Sequence, residues 1–193
     1  MRIRLRDKKG FTMIELLIVV AIIAVTAAIA IPNIISWIPT MRVNSAARDI
    51  VSEMQLARMK AVSERNNYVI TFDTSTNQYS IYDDGDNDGA EASELVKTVD
   101  VDTDYSGIQF GYVAGETETS GDPISNSVTF TGTPRRVAFK PNGTANKVGS
   151  VYLIPTEDIA GSRRDRQRAI TVIQTGRIKL WKYDAGGSPG PWK

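Results

Sequence analysis

From Phe11 to Ile38 the chain is apolar at nearly every position, and Glu15 is the only ionisable side chain in that stretch. A helix needs about 20 residues to cross the ~30 Å hydrocarbon core of a bilayer, so the segment is long enough to span one. Beyond it the pattern changes. Val43, Ala47, Ile50, Met54, Ala57 and Ala61 recur at alternating spacings of four and three, which places them on one stripe of a helix. Arg42, Asn44, Arg48, Asp49, Ser52, Glu53, Arg58, Lys60 and Glu64 fill much of the remaining surface. The stripe is short and rich in alanine, which suits close packing on a sheet of the same domain better than a coiled-coil partner. The helix is predicted to end near Asn66-Asn67.

Past that point the period falls to two. Tyr68-Val69-Ile70-Thr71-Phe72 and Gln78-Tyr79-Ser80-Ile81-Tyr82 are rich in β-branched and aromatic residues, and Asp73-Thr74-Ser75-Thr76-Asn77 between them is turn-forming, so the pair reads as a hairpin. Further strands are predicted over 94–99, 108–112, 127–130, 136–139, 149–154, 168–173 and 178–183. A long amino-terminal helix followed by many short strands is an α+β pattern: a membrane half, an amphipathic half, and an antiparallel β-sheet domain on which the second half packs. The Gly- and Pro-rich end, residues 186–193, reads as a flexible tail.

Charge orients this arrangement. Residues 1–10 hold Arg2, Arg4, Arg6, Lys8 and Lys9 against Asp7, so the positive-inside rule keeps that end cytoplasmic and sends the remainder across the membrane. Ala24, Ala27, Ala28 and Ala30 could be taken for a secretory cleavage region, but no polar segment with a clear cut site follows them. A plain signal anchor accounts for the basic and apolar stretches and leaves Glu15 unexplained, since a carboxylate within a membrane segment is costly unless it is partnered. Pro32 lies inside the apolar helix, where it removes a backbone donor and crowds the preceding turn, so a kink or local melting is expected.

Gly10-Phe11-Thr12-Met13-Ile14-Glu15, with its basic leader and apolar continuation, resembles the class III signal of type IV pilins and type II secretion pseudopilins. The resemblance implies that a membrane aspartyl peptidase cuts after Gly10 from the cytoplasmic side and that the new amino terminus, Phe11, is N-methylated. It implies a role for Glu15 as well: pairing with the Phe11 amine of a neighbouring subunit in an apolar filament core would offset the burial of both charges. A proline at the position of Pro32 also belongs to that family's pattern.

Composition narrows the chemistry. The chain of 193 residues has room for one membrane helix and one modest domain. It has no cysteine, hence no disulfide, thiolate metal site or thiol nucleophile, and no histidine, which excludes Ser/His and Cys/His catalysis. No local motif suggests another catalytic arrangement, and a non-enzymatic role is expected. The formal charge of +1 becomes −3 without the leader, whose five bases and one acid sum to +4. The charge is also unevenly spread, since Asp73 to Asp122 holds thirteen acidic residues and one base, Lys97, whereas Ala160 to Lys193 holds eight bases against Asp165 and Asp184. Such asymmetry often marks an interaction surface.

Phe139-Lys140-Pro141-Asn142-Gly143 and, after a strand and a basic stretch, Ala169-Ile170-Thr171-Val172-Ile173-Gln174-Thr175-Gly176-Arg177-Ile178-Lys179 resemble the carboxy-terminal signature of the GspH/FimT family of minor pilins and pseudopilins. Pro141 presets a turn, Gly143 can take positive φ, and Thr175-Gly176 would close a hairpin between two strands.

Two charged segments have competing readings. Asp84-Gly85-Asp86-Asn87-Asp88-Gly89 spaces oxygen ligands as calcium loops do, with Glu94 following, yet the twelfth position, where an EF-hand places its bidentate glutamate, is Leu95. It is either a Ca2+ site formed by Asp84, Asp86, Asp88 and Glu94 or a solvated acidic turn. Arg163, Arg164, Arg166, Arg168, Arg177, Lys179 and Lys182 could meet DNA phosphates, or they are a solvated loop or a surface facing acidic neighbours. Some members of the resembled family bind DNA through a Gly-Arg-x-Arg element, and here the match is Gly176-Arg177-Ile178-Lys179, whose last residue lacks the arginine fork.

The resemblance therefore implies a minor pilin-like structural subunit with a leader at 1–10, a transmembrane and filament-core helix at 11–38, an amphipathic helix at 39–67, a β-rich domain at 68–185 and a tail at 186–193. It would sit single-pass in the inner membrane, amino terminus cytoplasmic and carboxy-terminal domain periplasmic. Other pilins or pseudopilins, a prepilin peptidase and an inner-membrane assembly platform would be its partners. A secretion pseudopilus and a type IV pilus are both consistent with this, and a DNA-binding minor pilin for DNA uptake is the alternative.

Overall fold

A computed structural model describes residues 10–160, 163–184, 186 and 192–193, so the leader expected at 1–10 lies outside the described residues except for Gly10. The chain divides into two compact units, Met1–Ile38 and Pro39–Lys193. One helix, α1 (Met13–Glu64), supplies the described regular structure of the first unit and the opening of the second. Local melting at Pro32 is not found, because the helix is continuous there. The missing proline donor removes a single bond, the one to the carbonyl of Ala28, from a ladder that has many others. The helix stops at Glu64, where Arg65 takes a φ of 61°, the left-handed conformation that commonly ends helices.

Within the second unit, the predicted stripe is the buried one. Val43, Ala47, Ile50, Met54, Ala57 and Ala61, together with Ala46, are all buried. They pack with inward side chains of two four-stranded antiparallel sheets, a division that the strand pattern alone does not disclose. The first runs in the order β3 (Leu95–Asp100), β2 (Gln78–Asp84), β1 (Asn67–Asp73), β5 (Arg135–Phe139). The second runs β4 (Ile108–Phe110), β6 (Gly149–Pro155), β7 (Arg168–Val172), β8 (Ile178–Lys182). The predicted β1–β2 hairpin is present, with Val69 opposite Tyr82 and Thr71 opposite Ser80. A short helix, α2 (Val101–Tyr105), follows β3 and is capped by Asp100, whose side chain accepts from the backbone of Asp102 and Thr103.

One predicted strand is absent. Residues 127–130 make only an isolated bridge, Val128 with Val151, and the hydroxyl of Thr129 accepts the Ser150 N–H at 2.8 Å. A side chain thus takes a donor that a regular ladder would need. Phe130 from this segment stacks on Phe72, ring centres 5.8 Å apart, and Phe110 meets Phe72 edge-on at 5.9 Å, so aromatic contacts join elements distant in sequence.

Three polar clamps fasten the helix to the sheets. Arg42 donates to the Ser106 carbonyl at 3.0 Å, Arg168 Nε donates to Asn44 Oδ1 at 2.7 Å, and Arg58 Nε donates to the Gly143 carbonyl at 2.8 Å. Burial lowers the pKa of Arg168, with nearby Asp165 opposing the shift. Of the tail expected to be flexible at 186–193, residues 187–191 lie outside the described residues, and Trp192 and Lys193 correct the expectation for its end. Trp192 is buried against Ile124, Tyr152, Ala169 and Tyr183, and Lys193 exchanges two backbone hydrogen bonds with Lys182, at 2.7 and 2.9 Å. A large aromatic side chain with a pocket to fill outweighs the disorder that its Gly- and Pro-rich approach encourages.

Candidate functional site: the amino-terminal helix and the acidic loop

Gly10, Phe11 and Thr12 precede α1 in irregular backbone, and Phe11 is 84% exposed. Glu15 occupies the first turn and its carboxylate turns back on the start of its own helix, where Oε2 accepts the Thr12 N–H at 3.5 Å. The Glu15 N–H donates in return to Thr12 Oγ1 at 3.3 Å. This reciprocal contact had a sequence signal in Thr12-x-x-Glu15 ahead of an apolar run. The helix then shows apolar side chains outward through Ile35 and Trp37, and its most apolar window has a mean hydropathy of 2.9 with none of it buried. Two polar side chains in this stretch turn back on the backbone. Thr26 Oγ1 donates to the carbonyls of Ile22 and Ile23, and Ser36 Oγ to that of Asn33. Internal satisfaction of this kind is what an environment without water requires.

The acidic loop brings together the four carboxylates that the sequence singles out. Asp84, Asp86, Asp88 and Glu94 each offer an oxygen, and the four lie within 4.8 Å of one another. Asp84 ends β2, is buried, and accepts the Gly89 N–H at 3.1 Å. Glu94 reaches the group despite its register because a 3-10 turn (Ala92–Glu94) folds it back. Its Oε1 accepts from Gly85 N–H at 3.2 Å and its Oε2 from Glu91 N–H at 3.3 Å. Positive φ at Asn87 and Gly89, 65° and 123°, makes the reversal possible. Asp88 has a raised pKa, first through desolvation and then through its hydrogen bond and charge contact with Asp86, with Glu91 and Glu94 adding to it. A polar cavity of about 290 Å³ adjoins, lined by Asn67, Asp84, Asp88, Arg136, Asn146 and Lys147. Four convergent carboxylates suit a hard cation that takes six to eight oxygens, the others coming from backbone or water. Arg136 and Lys147 partly oppose this by bringing positive charge to the same cavity.

The basic group does not form one patch. Arg163 bonds Asp165, Arg164 pairs with buried Glu116 at 2.6 Å, Arg166 pairs with Glu157 and Asp158, and Arg168 is buried against Asn44. Arg177, Lys179 and Lys182 are exposed, and the Lys179 ammonium lies 3.3 Å from the centre of the Trp181 ring. Trp181 is thus engaged by a cation from its own strand, and Tyr183 is buried with its hydroxyl on Glu116.

The two phrases of the carboxy-terminal signature meet. Gly143 (φ 75°) closes its turn by donating to the Lys140 carbonyl at 2.8 Å, and Gly176 (φ 74°) closes the β7–β8 turn by donating to the Ile173 carbonyl at 2.8 Å. A methyl group built on Gly176 would lie 2.0 Å from the Gly143 carbonyl oxygen and 2.8 Å from Arg58 Nε. The motif is thus a three-part joint between α1 and two turns, with Arg58, from the polar side of α1, as a member that no local pattern marks.

Residues 5–31 match the prokaryotic N-terminal methylation motif, and residues 46–176 match the family described as Type II transport protein GspH. A fimbrial protein of Pseudomonas aeruginosa is 39% identical over 77 residues, covering 40% of this chain and 49% of that one. The type IV wide pilus major component PilA4 of Thermus thermophilus is 62% identical over 32 residues, covering 17% of this chain and 24% of that one. The chain thus spans about half the length, or less, of the curated relatives it matches. Among solved structures, the type IV minor pilin FimU of Pseudomonas aeruginosa is 20% identical with a TM-score of 0.46, covering 72% of this chain and 87% of that one. The minor pseudopilin EpsH of Vibrio cholerae is 11% identical with a TM-score of 0.48, covering 72% and 95%. With a methylation motif at the start of its apolar helix and the GspH match extending from that helix to the Gly176 turn, the chain belongs to the Type II transport protein GspH family.

Proposed function

We propose that this chain is a structural, non-catalytic pilin-type subunit of a type II secretion pseudopilus or a type IV pilus. A prepilin peptidase cuts it after Gly10, the new amine at Phe11 is methylated, and the subunit assembles with other pilins through α1. Before assembly it waits single-pass in the inner membrane on an assembly platform, with the amino terminus cytoplasmic and the β domain periplasmic. The observation that carries this reading is the carboxylate of Glu15, five residues after Gly10 and the only ionisable side chain between Phe11 and Ile38, in a stretch of α1 whose most apolar window is uncovered. Mass spectrometry of the chain produced beside an active prepilin peptidase tests it. Loss of residues 1–10 and a methylated Phe11 are expected, and an intact leader would refute the reading.

Assembly gives the second test. In an apolar filament core, Glu15→Gln would leave the neighbour's Phe11 amine buried without its counter-charge, a defect that costs about 3–5 kcal/mol when one partner of a buried pair is removed. Incorporation into filaments, read from sheared and pelleted material, is expected to fall at least ten-fold. Incorporation at the wild-type level would remove Glu15 from the assembly role.

The acidic loop is proposed to hold a calcium-sized cation. A raised carboxyl pKa means that the folded loop favours the protonated Asp88. Its stabilising share is present below the ordinary aspartate pKa and is lost as pH rises through the raised value. At neutral pH a bound cation would relieve the same repulsion. The fragment 39–193 contains every buried core residue. Its melting temperature is expected to rise by about 3–5 °C in calcium at ten times the Kd. Neither an absent shift nor one that persists in Asp86→Ala is compatible with this site.

A further inference from the structure

Besides its proposed pairing role, Glu15 takes part in a second device at the start of α1. Thr12 has the hydrogen-bonding pattern of a helix cap: its carbonyl accepts the Leu16 N–H at 3.2 Å, its hydroxyl accepts the Glu15 N–H at 3.3 Å, and its own N–H donates to Glu15 Oε2 at 3.5 Å. The helix therefore begins at Met13, and Gly10 and Phe11 stay outside regular structure. Among the described residues, an added methyl group at Gly10 would find nothing within 4 Å.

We propose that Thr12 is a positioning residue for leader cleavage: by ending the helix at Met13, it keeps the Gly10–Phe11 peptide in non-helical backbone that a peptidase can grip. This rests on the reading that the chain is cut at that bond. The physical reason lies in the orphan donors of a helix start. The Glu15 N–H lacks a partner within the helix as it stands, and the Thr12 hydroxyl supplies one. Without that hydroxyl, at the edge of a region with little water, the nearest replacement acceptor is the carbonyl of Phe11, four residues back. Making that bond lengthens the helix by one residue, and a second is added when the Ile14 N–H takes the Gly10 carbonyl. The peptide group to be cut would be drawn into the helical ladder, with its carbonyl occupied and its faces shielded.

The test uses the full-length chain in membranes with an active prepilin peptidase. Thr12→Val keeps the shape of the side chain and loses the hydroxyl, whereas Thr12→Ser keeps the hydroxyl. Thr12→Val is expected to be cleaved about five-fold more slowly, equivalent to ~1 kcal/mol at 1.4 kcal/mol per factor of ten, and Thr12→Ser at the wild-type rate. Amide hydrogen exchange on the uncleaved chains supplies a readout that altered recognition of the side chain would not move: in Thr12→Val the Ile14 amide should gain protection and the Glu15 amide should keep it, while Phe11 and Thr12, first donors of the lengthened helix, should gain none. Cleavage of Thr12→Val at the wild-type rate or faster, or slow cleavage without the change in exchange, overturns the proposal. A wild-type chain that stays uncut overturns the processing reading along with it, and that outcome is distinct because it does not depend on the variants.

Discussion

Replacing Gly176 by alanine is expected to remove about 3–5 kcal/mol from the stability of the β domain. Three costs add at this position. A φ of 74° puts a non-glycine residue in the left-handed region, at about 1–2 kcal/mol. The new methyl group would lie 2.0 Å from the Gly143 carbonyl oxygen and cannot be accommodated without parting the two turns. Parting them pulls that carbonyl from Arg58 Nε, now 2.8 Å away, and a hydrogen bond to a charged donor contributes about 1.5–3 kcal/mol. Since a domain's whole stability is about 5–15 kcal/mol, the variant should sit near the edge of folding. Urea unfolding of 39–193 measures it through a lowered midpoint. A loss below ~1 kcal/mol would show that the joint yields easily and that its closeness is not what holds helix and turns together. Arg58→Ala should cost less by itself, and the double variant less than the sum, because both changes break the same contact.

Trp192→Ala is expected to cost about 3 kcal/mol or more, the range for truncating a buried large aromatic. Its ring lies 5.5 Å from that of Tyr152 and meets Tyr183 edge-on at 5.2 Å, and its Nε1 donates to the Thr117 carbonyl at 2.8 Å. The same residue brings Lys193 against Lys182, where two backbone bonds cover part of the edge of β8. Deleting residues 192–193 should therefore lower stability to a similar extent and leave strand edge open for pairing with other chains. Chemical unfolding and light scattering of 39–193 follow the two consequences separately. If the truncated domain unfolds at the parent midpoint, Trp192 does not contribute to the second core cluster.

Much of this protein was legible in the order of its residues because the signals are periodic or local. The apolar run, the stripe from Val43 to Ala61, and most of the strands depend on the regular geometry of helix and strand, which spacing reports directly. The acidic loop was also visible, since its carboxylates lie within eleven residues, although the register mismatch at Leu95 hid the turn by which Glu94 returns to the group. The Thr12–Glu15 cap has a local pattern four residues long, but the same glutamate serves equally as a charge awaiting a partner, and the pattern does not say which. Residues 127–130 failed as a strand because a single threonine hydroxyl competes for a neighbour's N–H, a choice that β-propensity does not register.

The order of residues was enough to tell that an apolar helix with one carboxylate leads into an amphipathic helix and a β-rich domain, and that Gly10 separates a basic leader from that helix. Three-dimensional closure of the chain was needed to learn that the strands divide into two sheets, that Arg166 and Arg168 are buried on partners of their own domain while Arg164 pairs with Glu116, that Trp192 is buried, and that Gly143, Gly176 and Arg58 share one joint. The physical reason is sequence distance. Periodicity reports which face of an element is apolar, whereas a contact between residues 58, 143 and 176 depends on how the whole chain closes its loops, and nothing local to any of the three residues encodes it.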